Sequence, residues 1–178
     1  MVAYHDATDP PVGERMPGRT LTIEQVLTLL SDTPRRLAAA TEGLTAAQLR
    51  AAPGRDGWSA NDVLAHLRSC SDMWGGAVVR IIDEDEPTLR AVNPRTWILS
   101  TDYLELEFRP SFDAFAAQRA DLLAALERLP LEGWARSATV TGGGADLERT
   151  VLTYGQRLAR HERSHCRQVE SIAAALRS

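Results

Sequence analysis

The sequence predicts an all-α protein folded as a four-helix bundle, and three observations carry that expectation. Apolar residues recur at helical spacing in four long stretches. Two of these stretches open on well-formed N-terminal caps. No stretch sustains the alternation of a half-buried strand, and no internal repeat is present.

The first helix starts at Thr22, where Gln25 completes a capping box and Leu21 and Val26 are spaced as a hydrophobic staple. Its stripe runs through Val26, Leu30 and Leu37 toward Leu44. Pro34 lies inside that run and predicts a kink, or a break and restart, near Asp32-Thr33. A short capped turn follows at Thr45-Ala46-Ala47-Gln48, and Pro53-Gly54 with Gly57 marks a loop.

The second helix has the clearest start in the chain, with Ser59 as N-cap, Asp62 as its acidic partner, and Trp58 and Val63 as the staple. It continues through Leu67, Cys70, Trp74, Val78 and Ile81 for about six turns at ~3.6 residues each, ending at Asp83-Glu84-Asp85-Glu86-Pro87. Gly75-Gly76 weakens it locally and permits close approach of a neighbour.

A long connection from Pro87 to about Tyr103, carrying Trp97-Ile98-Leu99, is of the kind that is functional or covered by a partner. The third helix begins between Asp102 and Pro110, buries Phe108, Phe112, Phe115, Leu122, Leu126 and Leu129, and is ended by Pro130. A further connection with Trp134 and Gly142-Gly143-Gly144 leads to the fourth helix, from about Asp146 to Leu176. These long connections between helices 2 and 3 and between 3 and 4 predict a bundle other than the simplest short-loop form.

Composition removes several function classes. A net charge of −4 gives no electrostatic basis for nucleic-acid binding. The chain contains no Lys, which excludes Schiff-base chemistry and a phosphate-loop lysine. No apolar run reaches the length of a membrane span, and residues 1–19, with Pro10-Pro11 and Pro17-Gly18, lack the apolar core of a signal peptide. They read as a flexible lead-in to a single domain over 20–178, with His5 a bystander. The expected location is the cytoplasm, where Cys70 and Cys166 are reduced thiols.

The fourth helix carries the chemistry. Continuing its stripe of Val151, Tyr154, Leu158, Val169, Ile172 and Leu176 through the gap places His161, His165 and Gln168 on the face that must be buried. Two imidazoles stacked four residues apart in a core stripe are hard to satisfy with backbone groups. A divalent metal satisfies both, and His66 on the second helix supplies a third ligand, leaving open positions for a small-molecule substrate.

Each residue also has a plainer reading. His161 and His165 are alternatively polar residues on a boundary face, and His66 alone would be an ordinary core histidine. Cys70, four residues after His66, is a possible fourth ligand or simply a small buried hydrophobe. His161-Glu162-Arg163-Ser164-His165 fits H-E-x-x-H, in which Glu162 would be the general base of a peptidase. The extended motif is absent, a downstream ligand is hard to supply, and Arg160 and Arg163 flank the histidines. Glu162 is therefore a solvated neighbour, a base, or a residue supporting the ligands. Arg160, Arg163 and Arg167 form a row expected to be solvated and paired with acids such as Glu170, or to hold an anionic substrate at a pocket mouth.

Taken together, Gly57-Trp58-Ser59 leading into Val63-Leu64-Ala65-His66-Leu67, with His161-x-x-x-His165-x-x-Gln168, resembles the DinB-like (DinB/YfiT) superfamily. Thr33-Pro34, the acidic end of the second helix, and Phe115 with Arg119 add to the resemblance, which spans about residues 21–177. It implies a four-helix bundle with a divalent metal, zinc or nickel, on His66, His161 and His165, and homodimers. Characterised members of the family include thiol S-transferases using bacillithiol, mycothiol-dependent isomerases and metal-dependent hydrolases, and many other members have no assigned activity. A low-molecular-weight thiol is the implied co-substrate of the first two. The position after the first histidine of the pair, often Asp in the family, is Glu162 here, which leaves the metal triad intact. A metal-dependent transferase or hydrolase is the resulting expectation. A metal-binding bundle without catalysis is the alternative.

Overall fold

A computed structural model describes residues 20–54 and 57–177, so His5 and the expected lead-in lie outside the described residues. The first helix, α1 (Ile23–Thr41), begins at the Thr22–Gln25 capping box, and a second box at Thr45–Gln48 starts the short α2 (Ala46–Arg50). Ser59 and Asp62 cap α3 (Ala60–Cys70) in the same reciprocal way. A π-turn over Ser71–Gly75 joins α3 to α4 (Gly76–Asp83), so one helical segment runs from 60 to 83, close to the length its stripe predicts. The acidic cluster then ends it, Arg80 holding Glu84 across the last turn.

Pro34 does not break α1. The helix passes through it, and Thr33 Oγ1, next to the proline, donates to Leu29 O at 3.0 Å. Burial of Val26, Leu30, Thr33 and Leu37 on one face explains the tolerance, because tertiary packing offsets the hydrogen bond that Pro34 cannot make.

The all-α bundle expectation holds, and the two long connections add a small element to it. They hold a three-stranded sheet in the order β1 (Thr88–Arg90), β2 (Ser137–Thr141), β3 (Leu147–Thr150), with β1 parallel and β3 antiparallel to β2. Strands this short carry too few alternations to stand out in the sequence. The β2–β3 turn uses Gly142 and Gly144 at φ +85° and +113°, which side-chain-bearing residues rarely adopt. The first connection also forms α5 (Pro94–Trp97) and a 3₁₀ turn over Ile98–Ser100.

The third long helix, α6 (Phe108–Glu127), ends before Pro130, and the last, α7 (Val151–Arg177), starts directly after β3, later than Asp146. Phe108, Phe115, Leu122 and Leu126 are buried on α6, whereas Phe112 and Leu129 are only partly covered. Helix α1 packs chiefly on α7 and α6, and α3 packs on the same two. The consecutive long helices α1 and α3 thus occupy opposite corners of the bundle, and the segment that holds α2 carries the chain across.

The apolar core forms two clusters. One gathers Val26, Leu30, Trp74, Val78, Ile81, Leu122, Leu126, Val151 and Leu158. The other gathers Leu37, Val63, Leu64, Leu67, Phe108, Phe115, Cys166, Val169 and Ile172. Between them along the helices lie buried polar residues: Thr33 on α1, His66 on α3, Arg119 on α6, and Glu162 and His165 on α7. The functional candidates occupy this middle level.

Candidate metal centre

Helix α7 is brought close to α1 at Gly155, where a Cβ would meet Val26 Cγ1 at 3.1 Å and Trp134 at 3.5 Å. Two turns further on, His161 and His165 face α3 and meet His66. His161 Nε2 lies 3.0 Å from His66 Nε2 and 3.1 Å from His165 Nε2. The three ring centroids are 4.4–5.0 Å apart. The structure therefore brings together the three histidines that the sequence singles out.

Hydrogen bonding alone cannot account for this geometry. The Nε2 of a neutral imidazole carries either one proton or one lone pair, never both. His161 Nε2 therefore makes a hydrogen bond to one of its two close neighbours and not to the other. An ion accepting a lone pair from each ring removes the conflict. His165 has the tautomer this requires: its Nδ1–H donates to Gln168 Oε1 at 2.7 Å, which leaves the Nε2 lone pair pointing inward. His161 Nδ1 is buried with no hydrogen-bond partner among the described residues.

Electrostatics keep His161 neutral. Removal from water is the largest cause pushing its pKa well below 6.5, and His165, His66, Arg157 and Arg95 add repulsion against a further positive charge. Trp58 stacks parallel to His165 at 6.1 Å and meets the His66 ring edge-on at 5.3 Å, while Trp74 meets His161 edge-on at 5.0 Å. The guanidinium of Arg157 covers Trp74 at 4.2 Å. These aromatic rings wall the site on two sides. Cys70 adds a sulfur, and the ligand atoms of His66, Cys70 and His161 all lie within 4.8 Å of one another. Such nitrogen and sulfur donors suit zinc, nickel or copper rather than magnesium or calcium.

Glu162 is not a solvated neighbour. It is wholly buried, and its carboxylate is ion-paired with Arg119 of α6, which also donates to Ser71 Oγ at 2.9 Å. Burial pushes the Glu162 carboxyl up, while Arg119 and the Thr33 hydroxyl pull it back. A carboxylate committed to an internal guanidinium is poorly placed as a peptidase base. The arginine row also differs from expectation. Arg163 and Arg167 are exposed, but Glu170 is bound by Arg36 of α1, at 2.7 Å, instead of by the row. Cys166 is buried away from the histidines, its thiol pushed up to about 11 by burial, and neither cysteine is in a disulfide.

Two groups carry little sign of their role in the sequence. Arg119 stands out there only by its likeness to a family pattern, because an arginine on a largely apolar helix face gives no hint of its partner. Asp72, in the π-turn, accepts from Trp97 Nε1 at 3.0 Å and Tyr103 Oη at 2.8 Å, fastening the first connection to the bundle. The pairing is between distant residues and leaves no local signal.

A helical bundle with a nitrogen-rich, buried, potential metal-binding cluster is thus defined. The chain belongs to the DinB superfamily, whose family model matches residues 29–169. Its fold is similar to that of YfiT from Bacillus subtilis, described as a probable metal-dependent hydrolase with an unusual four-helix bundle topology. The TM-score is 0.70 at 16% identity, over 92% of this chain and 94% of that one. No curated protein sequence matches the chain. Among the described residues no helix is long and apolar enough to cross a membrane.

Proposed function

We propose that the chain is a divalent-metal-dependent enzyme, with His66, His161 and His165 holding the ion and a small electrophilic molecule as substrate. The observation that carries this reading is the position of His161 Nε2, 3.0 and 3.1 Å from two other imidazole nitrogens, with no hydrogen-bonding scheme that satisfies both contacts. A bound ion supplies Lewis acidity that ionises a low-molecular-weight thiol or a water at neutral pH.

The chain's own residues then do three things. The histidines fix the ion, with Gln168 setting the tautomer of His165. Trp58 and Trp74 exclude water from the rings. Arg119 withholds Glu162 from acid–base work, so the nucleophile must be ionised without that carboxylate. This favours transfer of a thiol to an electrophile, or hydrolysis by water, over peptidase chemistry of the H-E-x-x-H type. Likeness to YfiT, itself described as a probable metal-dependent hydrolase, supports the hydrolytic branch.

The test is metal analysis of protein purified without a tag, followed by assays of thiol conjugation and of ester and amide hydrolysis. Metal-dependent turnover in either assay is expected, and Glu162→Gln should retain it if the protein folds. Retained metal with no turnover in any assay would instead indicate a non-catalytic metal-binding bundle.

A further inference from the structure

We propose that Cys70 is a fourth donor to the same ion, so that the protein supplies three imidazoles and one thiolate, and the thiol or water of the proposed reaction enters as a fifth ligand. This rests on the metal reading above and assigns the sulfur a role that the three-histidine site does not include.

The argument begins with spacing. Cys70 follows His66 by four residues on α3, as His165 follows His161 by four on α7, so each helix directs an i, i+4 pair at the other. Cys70 Sγ lies 3.6 Å from His66 Nε2 and 3.8 Å from His161 Nε2. For zinc, with Zn–N of ~2.0–2.1 Å and Zn–S of ~2.3 Å at tetrahedral angles, ligand atoms stand ~3.6 Å apart for N···S and ~3.3 Å for N···N. The sulfur contacts to His66 and His161 match the first separation and the nitrogen contacts at 3.0 and 3.1 Å approach the second, whereas His165 lies outside the set whose ligand atoms are all within 4.8 Å of one another and would move inward as the ion binds.

The other cysteine supplies the contrast. Cys166 is equally buried, but it belongs to the opposite apolar cluster, and its Sγ lies 4.0 Å from the carbonyl oxygen of Thr33. A thiol in that setting stays protonated and behaves as a small hydrophobe. Cys70 has two ring nitrogens at ligand separation instead. As the ion binds, the S–H bond breaks, its proton leaves to solvent and a metal–sulfur bond forms, with no change of oxidation state. A thiolate partly neutralises the ion's charge and biases the site toward thiophilic metals over magnesium or manganese.

Two measurements on the full chain decide this. Metal-free protein is titrated with cobalt(II), and zinc-loaded protein is examined by X-ray absorption. The expected results are a near-ultraviolet sulfur-to-cobalt charge-transfer band and a sulfur scatterer at ~2.3 Å from zinc. Both should persist in Cys166→Ser, and Cys70→Ser should bind cobalt without the band. If Cys70→Ser does not fold, Cys166→Ser decides alone, because Cys70 is then the only cysteine left. Cobalt or zinc bound by imidazoles with no sulfur signal would overturn the proposal and leave the three-histidine reading standing. Failure to bind either metal would overturn both.

Discussion

His161 and Glu162 are neighbours in sequence, and their different solutions to burial show how the middle of this bundle works. Glu162 turns to α6 and finds a counter-charge within the chain, Arg119. His161 turns to α3 and finds an imidazole and a thiol there, with His165 of its own helix beside it, groups that cannot all satisfy one another. Burial imposes the same demand on each. The chain meets it internally at Glu162, whereas at His161 the proposed ion would meet it. One assembly sustains the fold; the other is the proposed metal site.

Breaking the internal pair should have the largest effect. Arg119→Met leaves Glu162 buried without its partner and should destabilise the protein by about 3–5 kcal/mol, with or without metal, in urea unfolding. The double variant Arg119→Met with Glu162→Leu should recover most of that loss. Two of the Arg119 guanidinium nitrogens have no hydrogen-bond partner among the described residues, so the pair is itself imperfectly compensated. A double variant as unstable as the single one would show that the pair does more than cancel charge.

The histidine side should respond in the opposite way. Gln168→Ala removes the acceptor that fixes His165 and should weaken metal binding by ~10–100-fold, with unfolding of the metal-free protein little changed. Competition with a chromophoric chelator measures the first effect and urea unfolding the second. A large loss of metal-free stability would instead mark Gln168 as a structural residue.

Acidity should separate the two assemblies more gently. His161 is held well below 6.5 when folded, so below that value the unfolded chain binds a proton that the folded chain refuses. Stability of the metal-free protein should therefore fall as the pH drops through 6.5 toward the depressed folded value, and be regained as it rises. Unfolding midpoints at about pH 7.5 and about pH 5.5 test this. In His161→Phe this contribution should vanish, provided that the variant folds.

Much of this is legible in the sequence, for reasons that differ from residue to residue. Caps at Thr22, Thr45 and Ser59 are local, so they announce their helices. His161 and His165 stand out because they interrupt an apolar stripe, and His66 because a third imidazole is needed. Continuity of α1 through Pro34 is hidden, because it depends on packing that the local rule does not see. The short strands β1 and β3 are hidden because each owes its existence to a partner, β2, distant in the chain or across a glycine turn. Burial of Glu162 is hidden for the same reason, since Arg119, far off in the chain, makes its charge tolerable there.

The central claim is that the three histidines form one metal site, and the most direct measurement is metal content per chain. It should be made on untagged protein, beside His66→Ala and His165→Ala from opposite helices. Unaltered protein should carry about one ion per chain, because a single cluster offers one set of ligand atoms. Each variant should lose most of it while remaining helical by circular dichroism, since apolar packing holds the bundle together. Undiminished metal in both variants would contradict the account.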